Sequence, residues 1–326
     1  MDLDADKSSR PRIAVLGSVN MDLVARCARL PMPGETLTGE SFAEIPGGKG
    51  ANQAVAAQRA GGQVAMIGRL GNDGFANTLL ENLSGESIET SGIRTTEEIA
   101  SGLAMITVSN TGENQIIVIP GANGCLSTAD VDRAVDQITQ ATVLLLQLEV
   151  PLEVVQHAIR IAAAAGTRVI LDPAPVPPEL HSVQISGEAV DGLFQVDLLC
   201  PNESEASALA GLPLDTPSDV LPVAERLFKL GAKNIVITLG KDGVSWFDGN
   251  QLRHFEPRGI DAVDSTAAGD AFAGALAVRW AETGNLEEAI GFGNVAGSIA
   301  ASRAGAQPSL PHRDELSEMI AIGEGT

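Results

Sequence analysis

The chain has 326 residues, 44% of them hydrophobic and 19% charged, enough for one large α/β domain with a substantial core. Asp and Glu number 42 against 21 Lys and Arg, a net charge of −21. That balance argues against nucleic acid and membrane surfaces as partners, and an anionic substrate would need backbone amides, a metal and a few Lys or Arg to hold it.

Residues 1–10 are polar, without the apolar stretch of a signal peptide, and are expected to be a disordered tail ahead of a single domain over 11–326. Ile13–Ser18 is a short apolar run ending in Gly-Ser, the pattern of a buried parallel strand. Asn20 and Asp22 follow at i, i+2 spacing, so in extended chain they point the same way. In an open parallel sheet, ligands bind beyond the carboxyl ends of the strands, which makes this pair a candidate for grasping a polyol. The bland alternative is a solvated loop. Residues 30–46, rich in Pro, Gly and Thr, read as extended chain projecting from the sheet. Gly47-Gly48-Lys49-Gly50-Ala51-Asn52-Gln53-Ala54 then leads into a helical run. Its glycines permit close approach to a ligand, with Lys49 and Asn52 facing the junction, although it lacks P-loop spacing.

Gln63–Ile67 reads as a strand and Gly74–Leu83 as a helix. Residues 103–108 and 115–119 flank a turn signal at 110–114, predicting a hairpin that with 21–46 makes a small β-lid. Val143–Glu149 is a buried strand ending in a carboxylate, followed by a helix over 152–165 and a strand over Arg168–Asp172. Strands at 197–200 and 234–239 follow, the first leading into Asn202 and Glu205, the second carrying Thr238 and leading into Gly240 and Gly243. A hairpin of 244–247 and 251–255 precedes Asp264. Polar residues at five strand ends are more than a solvated rim usually requires. Cys27, Cys125 and Cys200 are odd in number and scattered, so we expect reduced thiols in a cytoplasm, with neither disulfides nor a zinc site. No apolar run has the length of a membrane span, and a soluble cytoplasmic protein is expected.

Asp264-Ser-Thr-Ala-Ala-Gly-Asp270 opens the small-residue run Ala271–Ala277, read as a buried helix starting near Ala268-Gly269. A helix start presents unpaired N–H groups and a positive dipole end. Amides of Ala267, Ala268, Gly269 and Asp270 would hold charge on a moving phosphoryl group while the Asp270 carboxylate accepts a hydroxyl proton. The alternative, Asp270 as a helix cap alone, is equally open on this stretch.

With these motifs assembled, the chain resembles the ribokinase group of the phosphofructokinase-B-type sugar kinases from about residue 12 to 316. The resemblance rests on residues 47–54 and 264–270, with Pro33-Gly34-Glu35-Thr36, Asn202-x-x-Glu205, Thr238-Leu239-Gly240 and Gly305–Ser309. It implies an α/β three-layer sandwich, a mostly parallel central sheet of eight or nine strands, and a β-lid that also clasps a homodimer. It implies ATP-dependent phosphorylation of D-ribose at O5, with ribose held by Asn20, Asp22, Gly48, Lys49, Asn52, Glu149 and Asp270. ATP is expected near Asn202, Thr238, Gly240, Gly243 and Asn294, with Glu205 helping to organise Mg2+. A K+ ion is expected among Asp264, Thr266, Ala300, Arg303, Gly305 and Ser309, largely through backbone carbonyls. Ser265 stands where the family usually has Thr, and Asn294 where some relatives have His. Another pentose, deoxyribose, a nucleoside or a hexose is the rival substrate, and a non-catalytic sugar-binding relative the rival of another class.

Overall fold

The computed structural model describes residues 10–181, 192–259 and 261–323. Apart from Arg10, the expected tail lies outside the described residues. Among the described residues, thirteen strands fall into two sheets. They are β1 (Arg12–Leu16), β2 (Asn20–Cys27), β3 (Ser41–Gly47), β4 (Gln63–Gly71), β5 (Glu89–Thr96), β6 (Gly102–Ser109) and β7 (Asn114–Ile119) in the first part of the chain. Then follow β8 (Val143–Leu146), β9 (Arg168–Leu171), β10 (Leu198–Leu199), β11 (Ile235–Thr238), β12 (Val244–Phe247) and β13 (Leu252–Phe255).

The large sheet has nine strands in the order β13-β12-β11-β10-β9-β8-β1-β4-β5. Pairing is parallel from β5 through β11 and antiparallel for β12 and β13. Its middle strands are continuous apolar runs because both faces are covered. Period-two alternation sends Ile13 and Val15 of β1 into one core and Ala14 and Leu16 into the other. The first core is closed by α1 (Lys49–Arg59), α8 (Ala268–Thr283) and α9 (Leu286–Ala301). The second is closed by α3 (Thr128–Arg133), α4 (Val135–Thr139), α5 (Leu152–Ala165), α6 (Glu203–Ala210) and α7 (Val220–Phe228). Two further helices, α2 (Gly74–Gly85) and α10 (Arg313–Gly323), complete the set of longer helices among the described residues.

The chain starts at the middle of the sheet, builds β4 and β5 to one side and returns to build β8 on the other. A switch point of this kind leaves a crevice beyond the strand ends, where loops on either side part.

The second sheet, in the order β3-β2-β6-β7, contains the hairpin expected at 103–119. Asn20 and Asp22, expected in extended chain just past the first strand, lie on β2, paired with β3 and β6, and not in a solvated loop. The outer strand β7 is exposed along its whole length, and Ile116, Ile117, Val118 and Ile119 are each at least 42% exposed. The stretch 30–46 forms a strand only from Ser41. Strand β5 at the edge of the large sheet was absent from the sequence reading. Its Ser, Thr, Glu and Arg content hides it, because only Gly92 along it is buried. No helix among the described residues is long and apolar enough to cross a membrane.

Candidate active site

The site is built where β1, β8, β9, β10 and β11 end. Gly48 caps α1 with φ 88, and a Cβ there would stand 2.7 Å from the Asn20 amide nitrogen. Only glycine meets both conditions, left-handed backbone and no room for a side chain. This lets α1 start against β2, so Lys49, Asn52 and Gln53 project from its first two turns toward the crevice. Helix α8 enters from the opposite side. Its N-cap, Ala267, has φ 58, an uncommon conformation for a residue with a side chain. It orients the first turn so that Asp270 lies buried, only 5% exposed.

Both oxygens of Asp270 are engaged from α1. Asn52 Nδ2 donates to Oδ2 at 3.0 Å and Gln53 Nε2 donates to Oδ1 at 3.1 Å. The Oδ1 of Asn52 is buried and has no partner, an acceptor ready for a ligand hydroxyl. Within the first turn of α8, the Ala268 N–H turns back to the Ser265 carbonyl at 3.2 Å. The following N–H groups, Gly269 and Asp270, belong to the set that lacks i−4 partners in a helix.

Five carboxylates, Asp22, Glu149, Asp172, Glu205 and Asp270, share this space with Lys49. Burial raises the pKa of Asp270 to about 6, with Asp172 pushing the same way while Lys49, Asn52 and Gln53 oppose it. Burial, then the charges of Glu149 and Asp270, raise that of Asp22 to about 7. Burial and the facing Glu205 push Asp172 upward as well. For Lys49, burial acts to lower the pKa, but four carboxylates outweigh it and the ammonium stays charged. Glu149 accepts from the Ser18 hydroxyl and, at 3.3 Å, from the Lys49 backbone N–H. Asn20 is oriented by Asn123, whose Nδ2 donates to Asn20 Oδ1 at 2.7 Å and whose Oδ1 accepts from Val19 N–H.

From Lys49, Asp172 and Asp270 a cavity of about 970 Å³ runs out over the ends of β10 and β11. Asn202, Glu205, Thr238, Gly240, Gly243 and Asn294 line it, as do Ala267, Ala268 and Gly269. Asn202 caps α6 and forms a reciprocal box with Glu205, and it bridges to Thr238 at the end of β11. The Nδ2 of Asn294 is committed to the Glu256 carbonyl at 2.8 Å. Asn20, Asp22, Asn52 and Glu149 do not line this cavity. Asn52 and Glu149 adjoin it through their hydrogen bonds to Asp270 and the Lys49 N–H, and Asp22, on the lid strand β2 with Asn20, feels the charge of Asp270.

Asp264, Thr266 and Gly305 also come together. Asp264 Oδ1 accepts from the Thr266 N–H at 3.0 Å and from its hydroxyl, while Oδ2 accepts from the Gly305 N–H at 2.9 Å. Burial pushes the Asp264 pKa up, but these hydrogen bonds outweigh it and hold the carboxyl below its usual range. A charged carboxylate beside the carbonyl-rich end of α9 is an all-oxygen donor set that fits a hard cation. Arg303 turns its guanidinium to Glu315, so only its backbone faces this loop, and the Ser309 hydroxyl donates to the Ala306 carbonyl at 2.7 Å. The carboxylate excess around Lys49 likewise fits a divalent cation arriving with a polyphosphate. Among the described residues there is no cluster of three or more His, Cys, Asp and Glu with metal-binding geometry.

Three buried residues of this centre were missing from the candidate list. Asp172 follows β9 and receives the amide of Gln53 at 2.8 Å, and Gln147 follows β8 and donates to Gln53 at 2.6 Å. Asp172 did have a signal, since it ends an apolar strand. Gln53 lies inside the glycine-rich motif of residues 47–54 with no role assigned to it there, and Gln147 stands out only as an amide within an apolar run.

Residues 10–313 match the pfkB family of carbohydrate kinases. The chain is 38% identical over 311 residues to a ribokinase of Haemophilus influenzae, covering 95% of this chain and 99% of that protein. It is 35% identical over 312 residues to a deoxyribokinase of Salmonella typhi, covering 96% and 99%. The solved structure of Arabidopsis thaliana ribokinase complexed with ribose and ATP superposes with a TM-score of 0.85 at 30% identity, covering 95% and 99%. A family match over residues 10–313, with relatives above 30% identity along nearly their whole length, decides the classification: the chain belongs to the pfkB family of carbohydrate kinases.

Proposed function

We propose that this chain is an ATP-dependent ribose kinase that phosphorylates O5 of D-ribose, with Asp270 as general base. The observation that carries this reading is the placement of Asp270. It is a buried carboxylate in the first turn of α8, at the inner end of a cavity large enough for a nucleotide, with lid-side polar groups beyond it. In the proposed reaction the sugar hydroxyl oxygen bonds to the γ-phosphorus and the bond from that phosphorus to the β–γ bridging oxygen breaks. ADP leaves, and the hydroxyl proton passes to Asp270. The α8 amides of Ala267, Gly269 and Asp270 hold the negative charge of the phosphoryl group as it moves, while that of Ala268, expected among them, turns back to the Ser265 carbonyl. A base with a pKa near 6 is ionised at neutral pH yet basic enough to take that proton.

Asn20, Asp22, Gly48, Lys49, Asn52 and Glu149 are assigned to the sugar, and the unpaired acceptor of Asn52 supports this. Asn202, Thr238, Gly240, Gly243 and Asn294 are assigned to ATP. Mg2+, bound with ATP near Glu205, supplies charge neutralisation at the phosphates. K+ would be held by Asp264, Thr266, Ala300, Arg303, Gly305 and Ser309, most of them through carbonyl oxygens, and would stiffen the loop before α8. The exposed apolar face of β7 supports a homodimer joined through the lid, and we assign the protein to the cytoplasm. In domain terms, we take 11–326 as one unit with its lid over 21–46 and 100–120.

The match to a deoxyribokinase favours 2-deoxyribose as the second reading. A coupled assay of ADP release across ribose, 2-deoxyribose, arabinose, nucleosides and hexoses tests the proposal. The highest kcat/KM on ribose supports it. A preference for deoxyribose or a nucleoside moves the assignment within the family, and no turnover on any sugar overturns it.

A further inference from the structure

Gln53 is fully buried in α1, directly behind Asp270. Its two amide hydrogens have separate destinations, Asp172 Oδ2 at 2.8 Å and Asp270 Oδ1 at 3.1 Å. Its oxygen accepts from Gln147 Nε2 at 2.6 Å. Turned over, the amide would aim its oxygen at two carboxylates, so their charge sets its orientation. That orientation obliges Gln147 to donate, and the Oε1 of Gln147 is left buried without a partner. The same oxygen stands where a side chain on Gly17 would be, 1.9 Å from an ideal Cβ. A glycine at the end of β1 makes the room, and an unpaired buried acceptor is tolerated. Neither would be needed if this position only filled the core.

The two residues that grip Asp270 are consecutive. Side chains one residue apart on a helix diverge by about 100°, so Asn52 and Gln53 take the two carboxylate oxygens from different sides. Asn52 is assigned to the substrate and must adapt to it. The side chain of Gln53 instead hydrogen-bonds two carboxylates and Gln147, all of them protein groups.

We infer that Gln53, braced by Gln147, is a positioning residue for Asp270, fixing one carboxylate oxygen so that the other faces the reacting hydroxyl. The inference rests on the reading of Asp270 as the general base. Charged groups that also face Asp270 are Lys49 of α1, Asp172 after β9, Glu205 of α6 and Asp22 of β2. All remain in the variants below, so differences between the variants and the parent report on the amide.

The test uses the full chain with ATP, Mg2+ and ribose. Gln53→Met keeps length and burial but loses both donors. It should lower kcat about tenfold or more, leave the ribose KM within about threefold, and move the acid limb of kcat upward by about one pH unit. Gln147→Met leaves Gln53 in place but unbraced, and should shift kcat in the same direction by about threefold. It carries the test if Gln53→Met fails to fold. Wild-type kcat and acid limb in the folded variants, or a loss confined to thermal stability or KM, overturns the inference. Asp270→Asn run in parallel separates the two levels. Retained turnover there sinks the general-base reading itself, whereas an inactive Asp270→Asn beside an unaffected Gln53→Met sinks only the role of the amide.

Discussion

Replacing Asp22 by Asn should make the unliganded protein more stable while weakening sugar binding, because the carboxylate is held where its charge is unwelcome. Asp22 is 9% exposed, faces Glu149 and Asp270, and has a pKa raised from 3.8 to about 7. A raised carboxylate pKa means that the folded state holds its proton more tightly than the unfolded state. Stability therefore falls as pH rises between the two values, and the full cost is present above the higher one. Three units at 1.36 kcal/mol each set a ceiling of about 4 kcal/mol. Local relaxation reduces this, so Asp22→Asn should gain about 1–3 kcal/mol at about pH 8. At about pH 5.5 the folded carboxyl is mostly protonated, and the gain should be smaller by about 1–2 kcal/mol. Urea unfolding of both proteins at the two pH values, without ligands, measures this directly. A variant that is less stable at the higher pH, or a gain that does not depend on pH, would refute the electrostatic account. Calorimetry on the same variant should show weaker ribose binding with ATP binding little changed.

The remaining expectations concern the entrance to α8 and the acidity of the site. Replacing K+ by Na+ or a bulky organic cation at constant ionic strength should lower turnover or substrate affinity markedly, and Asp264→Ala should reproduce the loss and abolish the response. Equal activity in all three salts would remove the cation from the account. Ala267→Gly relieves a left-handed alanine, so unlike most Ala→Gly changes it should cost nothing and stabilise by up to about 1 kcal/mol in thermal unfolding. The kcat profile should fall on the acid side with an apparent pKa near 6, where Asp270 gains its proton. A limb near the usual carboxylate range, about 4, would argue that Asp270 is not the titrating base.

Much of this architecture was legible in the sequence because parallel strands buried on both faces are unbroken apolar runs. Val143–Leu146 and Ile235–Thr238 stand out on that ground, and the helix over Leu152–Ala165 has its expected bounds. Strand β2 was legible only as extended chain belonging to the expected lid, because Val24 interrupts the alternation of Met21, Leu23, Ala25 and Cys27 with Asn20, Asp22 and Arg26. Strand β5 has almost no buried side chain, so no hydrophobic period marks it. Asp270, Asn52 and Lys49 could be picked out because unusual small-residue turns surround them. Gln53 stands in the same motif, but its role could not be read there, because an amide inside a helix acquires meaning only when Asp172, 119 residues later, is folded against it. Pairings across that distance depend on strand order, which local pattern does not carry.

The central claim is that the Asp270 carboxylate removes the proton from the hydroxyl that receives phosphate. Asp270→Asn keeps the size of the side chain and removes its basicity. Turnover of the variant with ATP and ribose, with both ligands titrated calorimetrically, is the most direct measurement. The account predicts binding within a fewfold of the parent and a kcat lower by about 10²–10⁴-fold. Turnover close to the parent, with both ligands still bound, would contradict it and leave Asp270 as a buried helix cap.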